Sequence, residues 1–327
     1  MKYLFLILIF TCFLVSCDND LDISEDWKNI PVVYGIVDPS DTAHYFRIEK
    51  AFYDPNVDAY TIAAIADSIY YEEAEAYLED PKTKQRFPLQ RVDGNLEGYI
   101  RNEGVFAQSP NYLYKIQASE LKSESKSDLD FKLVINQGKD TISSNTLIVK
   151  DFKFTNPKPG EVQRLDLNYQ NKISIRWSFA ENAHFYDVGV RINYRERNLQ
   201  ESTTWKNKSI EWTAERFVTT NNVMVKGQDF FVNMGSLIEE NPFAEREFRN
   251  MEFIVAGFGK EIFDYISIYG ANLGITGSQE IPLYSNIEGG VGIFSAKKTI
   301  EIGDLLLVQS SQDSLISGIY TNKLNFK

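Results

Sequence analysis

Hydrophobic and polar residues alternate along much of the chain from about residue 30 onward, and this period of two predicts β-strands with one buried face. Short clusters of turn residues such as Asp38-Pro39-Ser40-Asp41 interrupt the alternation, because these residue types favour tight turns. Strands are predicted in the first half of the chain at residues 30–37, 44–51, 74–79, 86–89, 112–118, 131–136 and 141–149. Short strands separated by turns at this spacing indicate a small β-sandwich.

A segment rich in proline, Asn156-Pro157-Lys158-Pro159-Gly160, is the best candidate for a linker between two modules. We predict an immunoglobulin-like β-sandwich over residues 27–150 from the strand spacing. Beyond the linker, one alternating strand ends at Trp177 and another begins at Tyr186. This strand pair resembles fibronectin type III sandwiches, and the resemblance implies a fibronectin type III-like, β-rich domain with helical insertions over residues 151–327.

Two stretches of the second module have helical patterns. Residues 236–248 are acidic, and Leu237, Ile238 and Phe248 are expected to pack while the glutamates face water. Residues 261–273 place apolar side chains at the i, i+3, i+4 and i+7 spacing of an amphipathic helix. Gly274 follows as a natural end of that helix. Both stretches are predicted to be helices inserted into the sandwich.

The start of the chain has the layout of a secretory signal, with one positive charge at Lys2 followed by an apolar run. The run is shorter than the about 20 apolar residues of a membrane-spanning helix. Leu14 and Ser16 precede Cys17 in a pattern that resembles the lipobox of bacterial lipoproteins. The resemblance implies that residues 1–16 are a lipoprotein signal peptide and that the acylated Cys17 inserts its acyl chains into a lipid bilayer. An ordinary cleaved signal is the alternative.

Residues 17–26 are rich in Asp and Glu and poor in residues that form a core, so they are predicted to be a solvated, lipidated tether. Acidic residues directly after a lipidated cysteine also resemble the surface-export signal of Bacteroidetes lipoproteins. We therefore expect the protein to be lipid-anchored in the outer membrane and to face the cell surface. The periplasmic face is the alternative location.

The charge balance limits the classes of partner. The chain carries 34 Lys and Arg against 46 Asp and Glu, a formal net charge of −12. Nucleic acids and anionic head groups require a basic patch, so we expect no nucleic-acid binding. Of the two cysteines, Cys12 lies in the predicted signal peptide, so the mature chain has no intramolecular disulfide and depends on its core for stability.

A stretch near the end of the chain, residues 283–295, reads Leu-Tyr-Ser-Asn-Ile-Glu-Gly-Gly-Val-Gly-Ile-Phe-Ser. It resembles the closing motif of an uncharacterised family of Bacteroidetes outer-membrane lipoproteins that are often encoded beside TonB-dependent receptors. The early strand Val32-Val33-Tyr34-Gly35 also fits this family. The resemblance implies a location and a possible TonB-dependent receptor or other outer-membrane complex as partner, but no reaction.

The glycines of this stretch allow either a structural turn or a loop that contacts a ligand. They do not form a phosphate-binding loop, because no Gly-Lys-Ser/Thr and no GxGxxG pattern is present. We retain both interpretations of the stretch. The residues of the possible ligand or interface loop are Tyr284, Asn286, Gly289, Gly290, Gly292 and Phe294.

No constellation of residues in the sequence indicates catalysis, a cofactor or a metal. The two histidines, His44 and His184, stand apart from any cysteine, which argues against a zinc site. Glu73, Glu75 and Glu79 have the spacing of one solvated strand face rather than of a calcium loop. The chain is therefore predicted to be a non-enzyme, although a pair of carboxylates that the fold brings together would make it an unrecognised hydrolase.

Four tripeptides have the pattern Asp-Ser/Thr-aliphatic, which resembles the O-glycosylation acceptor of Bacteroidetes exported proteins. The same dipeptides are common in turns, where short side chains bond to the backbone, so a purely structural role is the alternative. The candidate acceptor residues are Thr42, Ser68, Thr141 and Ser314.

Two functional hypotheses follow, besides the hydrolase alternative. The first is a non-catalytic lipoprotein that serves as an accessory or binding component of a membrane uptake or secretion complex. The second is direct capture of a surface glycan or peptide, in which exposed aromatic residues such as Trp205 or Trp212 stack on the ligand. Adjacent, exposed aromatic rings in the structure favour the second hypothesis, and two fully buried rings count against it.

Overall fold

The chain folds mainly into β-strands arranged in several sheets, as the alternating pattern predicts. The structure is a computed structural model, and it describes residues 30–52, 54, 57–121, 131–137, 140–200, 202–271 and 284–327. The predicted signal peptide and acidic tether, residues 1–26, lie outside the described residues.

Among the described residues, eight strands belong to the first half of the chain. They are β1 (Pro31–Val37), β2 (Ala43–Lys50), β3 (Glu75–Glu79), β4 (Arg86–Pro88), β5 (Gln90–Asp93), β6 (Tyr112–Gln117), β7 (Phe131–Gln137) and β8 (Asp140–Thr146). Two short helices, α1 (Ala59–Ala63) and α2 (Ala66–Ile69), lie between β2 and β3. Asp58 caps α1, because its side chain accepts hydrogen bonds from the backbone N–H groups of Tyr60 and Thr61.

In its described part, the second half contributes longer strands and three further helices. The strands are β9 (Phe154–Asn156), β10 (Arg164–Leu165), β11 (Lys172–Trp177), β12 (Phe185–Asn198), β13 (Ser202–Val218), β14 (Asn222–Lys226), β15 (Ala244–Phe258) and β16 (Val291–Leu307). The helices are α3 (Gly227–Leu237), α4 (Lys260–Ala271) and α5 (Gln309–Ser317).

One nine-stranded sheet contains strands from both predicted modules. Its order is β13-β12-β15-β16-β1-β2-β6-β5, and β10 pairs with the end of β16. Strand β16 is the connection, because its residues 291–296 pair in parallel with β1 and residues 297–305 pair antiparallel with β15. The predicted boundary near residue 150 remains a prediction, and strands from its two sides meet in this sheet.

Two smaller sheets complete the structure, with the orders β4-β3-β7-β8 and β14-β11-β9. Buried side chains from all three sheets form one hydrophobic cluster. Within it, the rings of Trp177 and Tyr186 lie edge to face with centroids 5.2 Å apart. The Tyr186 hydroxyl accepts a hydrogen bond from the backbone N–H of Ala180 at 2.8 Å, which satisfies the polar end of a buried aromatic side chain.

The prediction of a helix over residues 236–248 is wrong. Helix α3 ends at Leu237, and β15 begins at Ala244. Two of the glutamates that suggested a solvated helix face, Glu245 and Glu247, belong to the strand. There they form ion pairs across the sheet with Arg197 and Arg195 of β12. The prediction of a helix from residue 261 is confirmed over the described part of α4.

Candidate interaction surface

The motif at residues 284–295 lies where β16, β1 and β8 come together. Asn286 holds the turn closed, because its Nδ2 donates to the Phe294 carbonyl at 2.7 Å and its Oδ1 accepts from the Phe294 N–H at 2.9 Å. Ser144 of β8 donates its hydroxyl to the Asn286 carbonyl at 2.7 Å. A bridge of two backbone hydrogen bonds joins Ser143 and Glu288. These bonds fix the turn to strands from both halves of the chain.

Two glycines of the motif are required by close approach of β1. Gly292 has a φ of +121°, and a Cβ at this position would lie 1.9 Å from the Val33 carbonyl oxygen. A Cβ on Gly290 would lie 2.8 Å from the Pro31 carbonyl oxygen. Gly289 has a φ of +81° and only ordinary contacts. Backbone conformation or close packing therefore explains the glycine at each of these three positions. This explanation holds whether or not the stretch also contacts a ligand.

The predicted loop residues differ in exposure. Phe294 is 0% exposed and belongs to the core cluster, and Gly292 is buried. Tyr284, Asn286 and Gly290 are half-buried, while Gly289 is exposed. Of the side chains predicted for a ligand or interface loop, Tyr284 and Asn286 therefore reach the surface.

Tyr284 is part of a larger aromatic surface that the motif alone did not indicate. Its ring lies 6.5 Å from that of Tyr265, and the rings of Tyr265 and Tyr269 are 4.5 Å apart on α4. Tyr34, on the outer face of β1, is 44% exposed. Burial raises its pKa, and the neighbouring phenols of Tyr265 and Tyr269 contribute to the increase. We call Tyr34, Tyr265, Tyr269 and Tyr284 the tyrosine patch.

Helix α4 is held firmly against the sheet beneath this patch. Ile262 packs on Ile293 of β16 and on Phe185. Glu261, in the first turn of the helix, accepts hydrogen bonds on Oε2 from Thr146 at 2.9 Å and from Ser295 at 2.8 Å. The helix is thus tied to β8 and β16, and the patch rests on ordered elements.

Two phenols of the patch, those of Tyr34 and Tyr284, have raised pKa values and stay protonated at neutral pH. Burial, followed by the charges of Asp264 and Glu261, raises the pKa of Tyr284 to about 12. Burial, followed by the neighbouring Tyr265, Tyr269 and Glu49, also raises the pKa of Tyr34. The patch therefore presents apolar ring surface together with hydroxyl groups that donate and accept hydrogen bonds.

The four candidate glycosylation residues lie in different settings. Thr42 and Thr141 are exposed, in the turn before β2 and in β8. Ser68 and Ser314 are half-buried in α2 and α5, and the Ser314 hydroxyl donates to the Ser310 carbonyl at 2.9 Å. Cys17 lies outside the described residues.

The two tryptophans proposed for ligand stacking do not form a joint surface. Trp205 is half-buried between the guanidinium groups of Arg195 and Arg197, which lie 4.5 Å and 4.7 Å from its ring. Trp212 packs against the core, 5.9 Å from the ring of Phe230. Their positions in β13 differ by an odd number of residues, so they point to opposite faces of the sheet.

In the part of the chain that the structure describes, no group of three or more His, Cys, Asp or Glu side chains is placed to hold a metal ion. Glu79 of the acidic stripe pairs with Arg86 at 3.2 Å, while Glu73 and Glu75 are exposed. None of the described helices is both long and apolar enough to cross a membrane.

Neither a model of a protein family nor a curated protein matches the chain.

Proposed function

We propose that the protein is a non-catalytic, lipid-anchored protein of the outer membrane that serves as an accessory or binding component of an uptake or secretion complex. The observation that carries the proposal is the tyrosine patch, a partly exposed aromatic surface on fixed elements. The same adjacent rings also support capture of a surface glycan or peptide, which is the second candidate function. The lipobox-like sequence around Cys17 supports the membrane anchor. Signal sequence and acidic tether together favour the outer face of the membrane.

Tyrosine clusters suit protein recognition for physical reasons. A tyrosine offers a large contact area with only two side-chain torsions to fix, so binding costs little conformational entropy. Its hydroxyl also satisfies polar groups of the partner, and aromatic residues are accordingly enriched at interfaces. Ile36, two residues after Tyr34 on β1, and Ile266, next to Tyr265 on α4, are each 40% exposed and add apolar area to these elements. The same chemistry is expected to bind an outer-membrane protein such as a TonB-dependent receptor, the partner that the family resemblance suggests.

We further propose that the two halves are an immunoglobulin-like and a fibronectin type III-like sandwich. The orders β1-β2-β6-β5 and β4-β3-β7-β8 correspond to the A-B-E-D and C′-C-F-G sheets of an immunoglobulin-like domain. In the second half, β14-β11-β9 and β13-β12-β15-β16 correspond to E-B-A and C′-C-F-G. These strand orders support the arrangement, and such domains serve many binding functions.

Affinity capture from native membranes tests the proposed function. The full chain, with Cys17 intact, is crosslinked in the cells that produce it and is then purified with whatever it has bound. We expect an outer-membrane protein to be captured, and we expect Tyr34→Ala combined with Tyr269→Ala to lower its recovery at least tenfold. Tyr60→Ala, at a tyrosine on α1 that is 67% exposed, is the matched control and should leave recovery unchanged.

Two further measurements make this test decisive. Circular dichroism melting shows that the double variant is folded, and membrane fractionation of Cys17→Ala should show release from the membrane. Recovery of the same partner by the folded double variant at the wild-type level would remove the basis for an interaction at the patch. Membrane retention of Cys17→Ala would remove the basis for the lipid anchor.

A further inference from the structure

A polar cleft lies in the second half of the chain, away from the tyrosine patch. It forms where the far ends of β12 and β13 face the segment that follows α3, and its volume is about 440 Å³. This volume is within the range of small-ligand sites. Side chains that line it include Asn198, Lys206, Lys208, Asn241 and Arg246.

The wall of the cleft is built around one deeply buried cation. The Arg246 side chain is 3% exposed. Three hydrogen bonds, to one carboxylate and two backbone carbonyls, fix its position. Its Nε donates to Glu196 Oε2 at 2.7 Å, its Nη1 to the Leu324 carbonyl at 2.6 Å, and its Nη2 to the Glu239 carbonyl at 2.9 Å. A fixed guanidinium of this kind gives the cleft a permanent positive charge.

A single carboxylate is shared between two cations of the cleft. Glu196 accepts from Arg246 and also from Lys208 Nζ, at 2.5 Å on its other oxygen. Burial opposes ionisation of Glu196, but the hydrogen bonds from Lys208 and Arg246 outweigh it and lower its pKa. Glu196 is therefore ionised at neutral pH, and its one negative charge cannot neutralise both partners.

The cleft has more cations than carboxylates. Arg197, Lys206, Lys208 and Arg246 line it together with the two acids Glu196 and Glu239. Arg197 forms an ion pair with Glu245, outside the lining, so the other three cations exceed the two acids by one positive charge. Lys206 forms no ion pair with any residue that the structure describes. This excess stands out in a chain whose net charge is −12, and it favours an anionic ligand.

The rest of the lining combines polar residues with two aliphatic ones. Asn198, Asn241, Thr204 and Tyr194 are the polar residues, and Leu237 and Ile238 are the aliphatic ones. Amides and hydroxyls hydrogen-bond to the hydroxyl groups of a ligand, whereas an apolar ligand would leave these groups unsatisfied. We propose that the cleft binds a small polyhydroxylated anion, an oligosaccharide that carries carboxylate groups, with Lys206 and Lys208 contacting a carboxylate.

Isothermal titration calorimetry on the mature chain tests the site, with trigalacturonate as the probe. We expect trigalacturonate to bind, and its methyl ester, which has the same hydroxyls but no charge, to bind at least tenfold more weakly. Lys206→Gln should weaken binding of trigalacturonate at least fivefold, and Lys206→Arg should retain most of it. Lys172→Gln, which removes an exposed lysine of β11, is the matched control and should bind as the wild type does.

Three results would overturn the proposal: no binding of trigalacturonate at millimolar concentration, equal binding of the acid and its ester, or wild-type affinity in Lys206→Gln. Inorganic sulfate is included as a probe of charge alone. If sulfate binds as tightly as trigalacturonate, the sugar part of the proposal is wrong. None of these outcomes depends on the tyrosine patch, so this site and the proposed membrane complex are tested separately.

Discussion

The two histidines of the chain occupy opposite environments. His184 is exposed in the loop directly before β12, with its ring 5.8 Å from that of Phe263, as its position before a predicted strand indicates. His44 lies on β2 and is 3% exposed, and its Nδ1 has no hydrogen-bond partner among the described residues. Burial lowers the pKa of His44, although Asp41 and Asp38 act in the opposite direction.

The lowered pKa of His44 predicts a pH dependence of stability. The folded state binds the proton less tightly than the unfolded chain, whose histidines have a pKa of about 6.5. The contribution of neutral His44 to the free energy of unfolding is therefore complete above about pH 6.5. It is lost as the pH falls through the lower pKa that His44 has in the folded state. Between pH 7.5 and 5, the melting temperature of the wild type should fall more steeply than that of His44→Gln.

Differential scanning fluorimetry across this pH range measures the two slopes. Other groups titrate in both proteins, so only the difference between the slopes reports on His44. His184→Gln, at the exposed histidine, is the matched control. Parallel slopes for the wild type and His44→Gln would contradict the prediction.

At the scale of elements, β16 is the strand that joins the two parts of the large sheet. It pairs with β1 over its first third and with β15 over most of the remainder. Its start is the glycine-rich stretch, which sequence patterns describe only as turn or loop. The close approach of β1 explains why glycine is needed there, and this approach depends on residues far apart in the sequence.

Replacing Gly292 by Ala is expected to destabilise the fold by more than about 3 kcal/mol, since a non-glycine residue is strained at this φ and its Cβ meets the β1 backbone. Gly98→Ala is the matched control. Gly98 also has a positive φ, +88°, but no heavy atom lies within 4 Å of the position that an added Cβ would occupy. We therefore expect Gly98→Ala to lower the free energy of unfolding by about 1 kcal/mol. Urea unfolding measures the free energy of unfolding of both variants. Equal decreases in the two variants would show that the close approach of β1 is not what requires glycine at position 292.

Some elements could be predicted from the sequence and others could not. Strands β2 and β3 alternate apolar and polar residues because each has one face on the core. The sequence pattern does not predict strand β13. The end of its hairpin extends past the core and carries Lys206, Asn207 and Lys208 in succession, so apolar and polar residues do not alternate there. Strand β15 was partly mistaken for a helix, since its glutamates have partners on β12 that the sequence pattern does not reveal.

The candidate sites depend even more on tertiary structure. Tyr265 and Tyr269 were expected on the packed face of a helix, and the helix is confirmed. Their proximity to Tyr34 and Tyr284 arises from the position of α4 above β1 and β16, which no local pattern encodes. The polar cleft was missed for a similar reason, because Arg246 and Glu196 are brought together by pairing of β12 with β15.

At the scale of the whole molecule, the two proposed sandwiches share a sheet and also share a buried carboxylate contact. Asp38, which is 0% exposed, follows β1 and accepts a hydrogen bond from the Thr299 hydroxyl of β16 at 2.8 Å. The Ser40 hydroxyl donates to the Thr299 carbonyl at 2.9 Å. Independent domains have few contacts across their boundary, so these contacts indicate that the two halves unfold together.

Hydrogen exchange on the full chain tests this cooperativity. Phe230→Ala removes a fully buried ring of α3 in the second half and should cost about 3–5 kcal/mol. If the halves form one cooperative unit, the free energy of opening at the most protected amides of β6, in the first half, should fall by a similar amount. Leu78→Ala, at a buried position of β3, provides the reciprocal test on β12. Unchanged protection of β6 in Phe230→Ala would show instead that the halves unfold separately despite the pairing of β1 with β16.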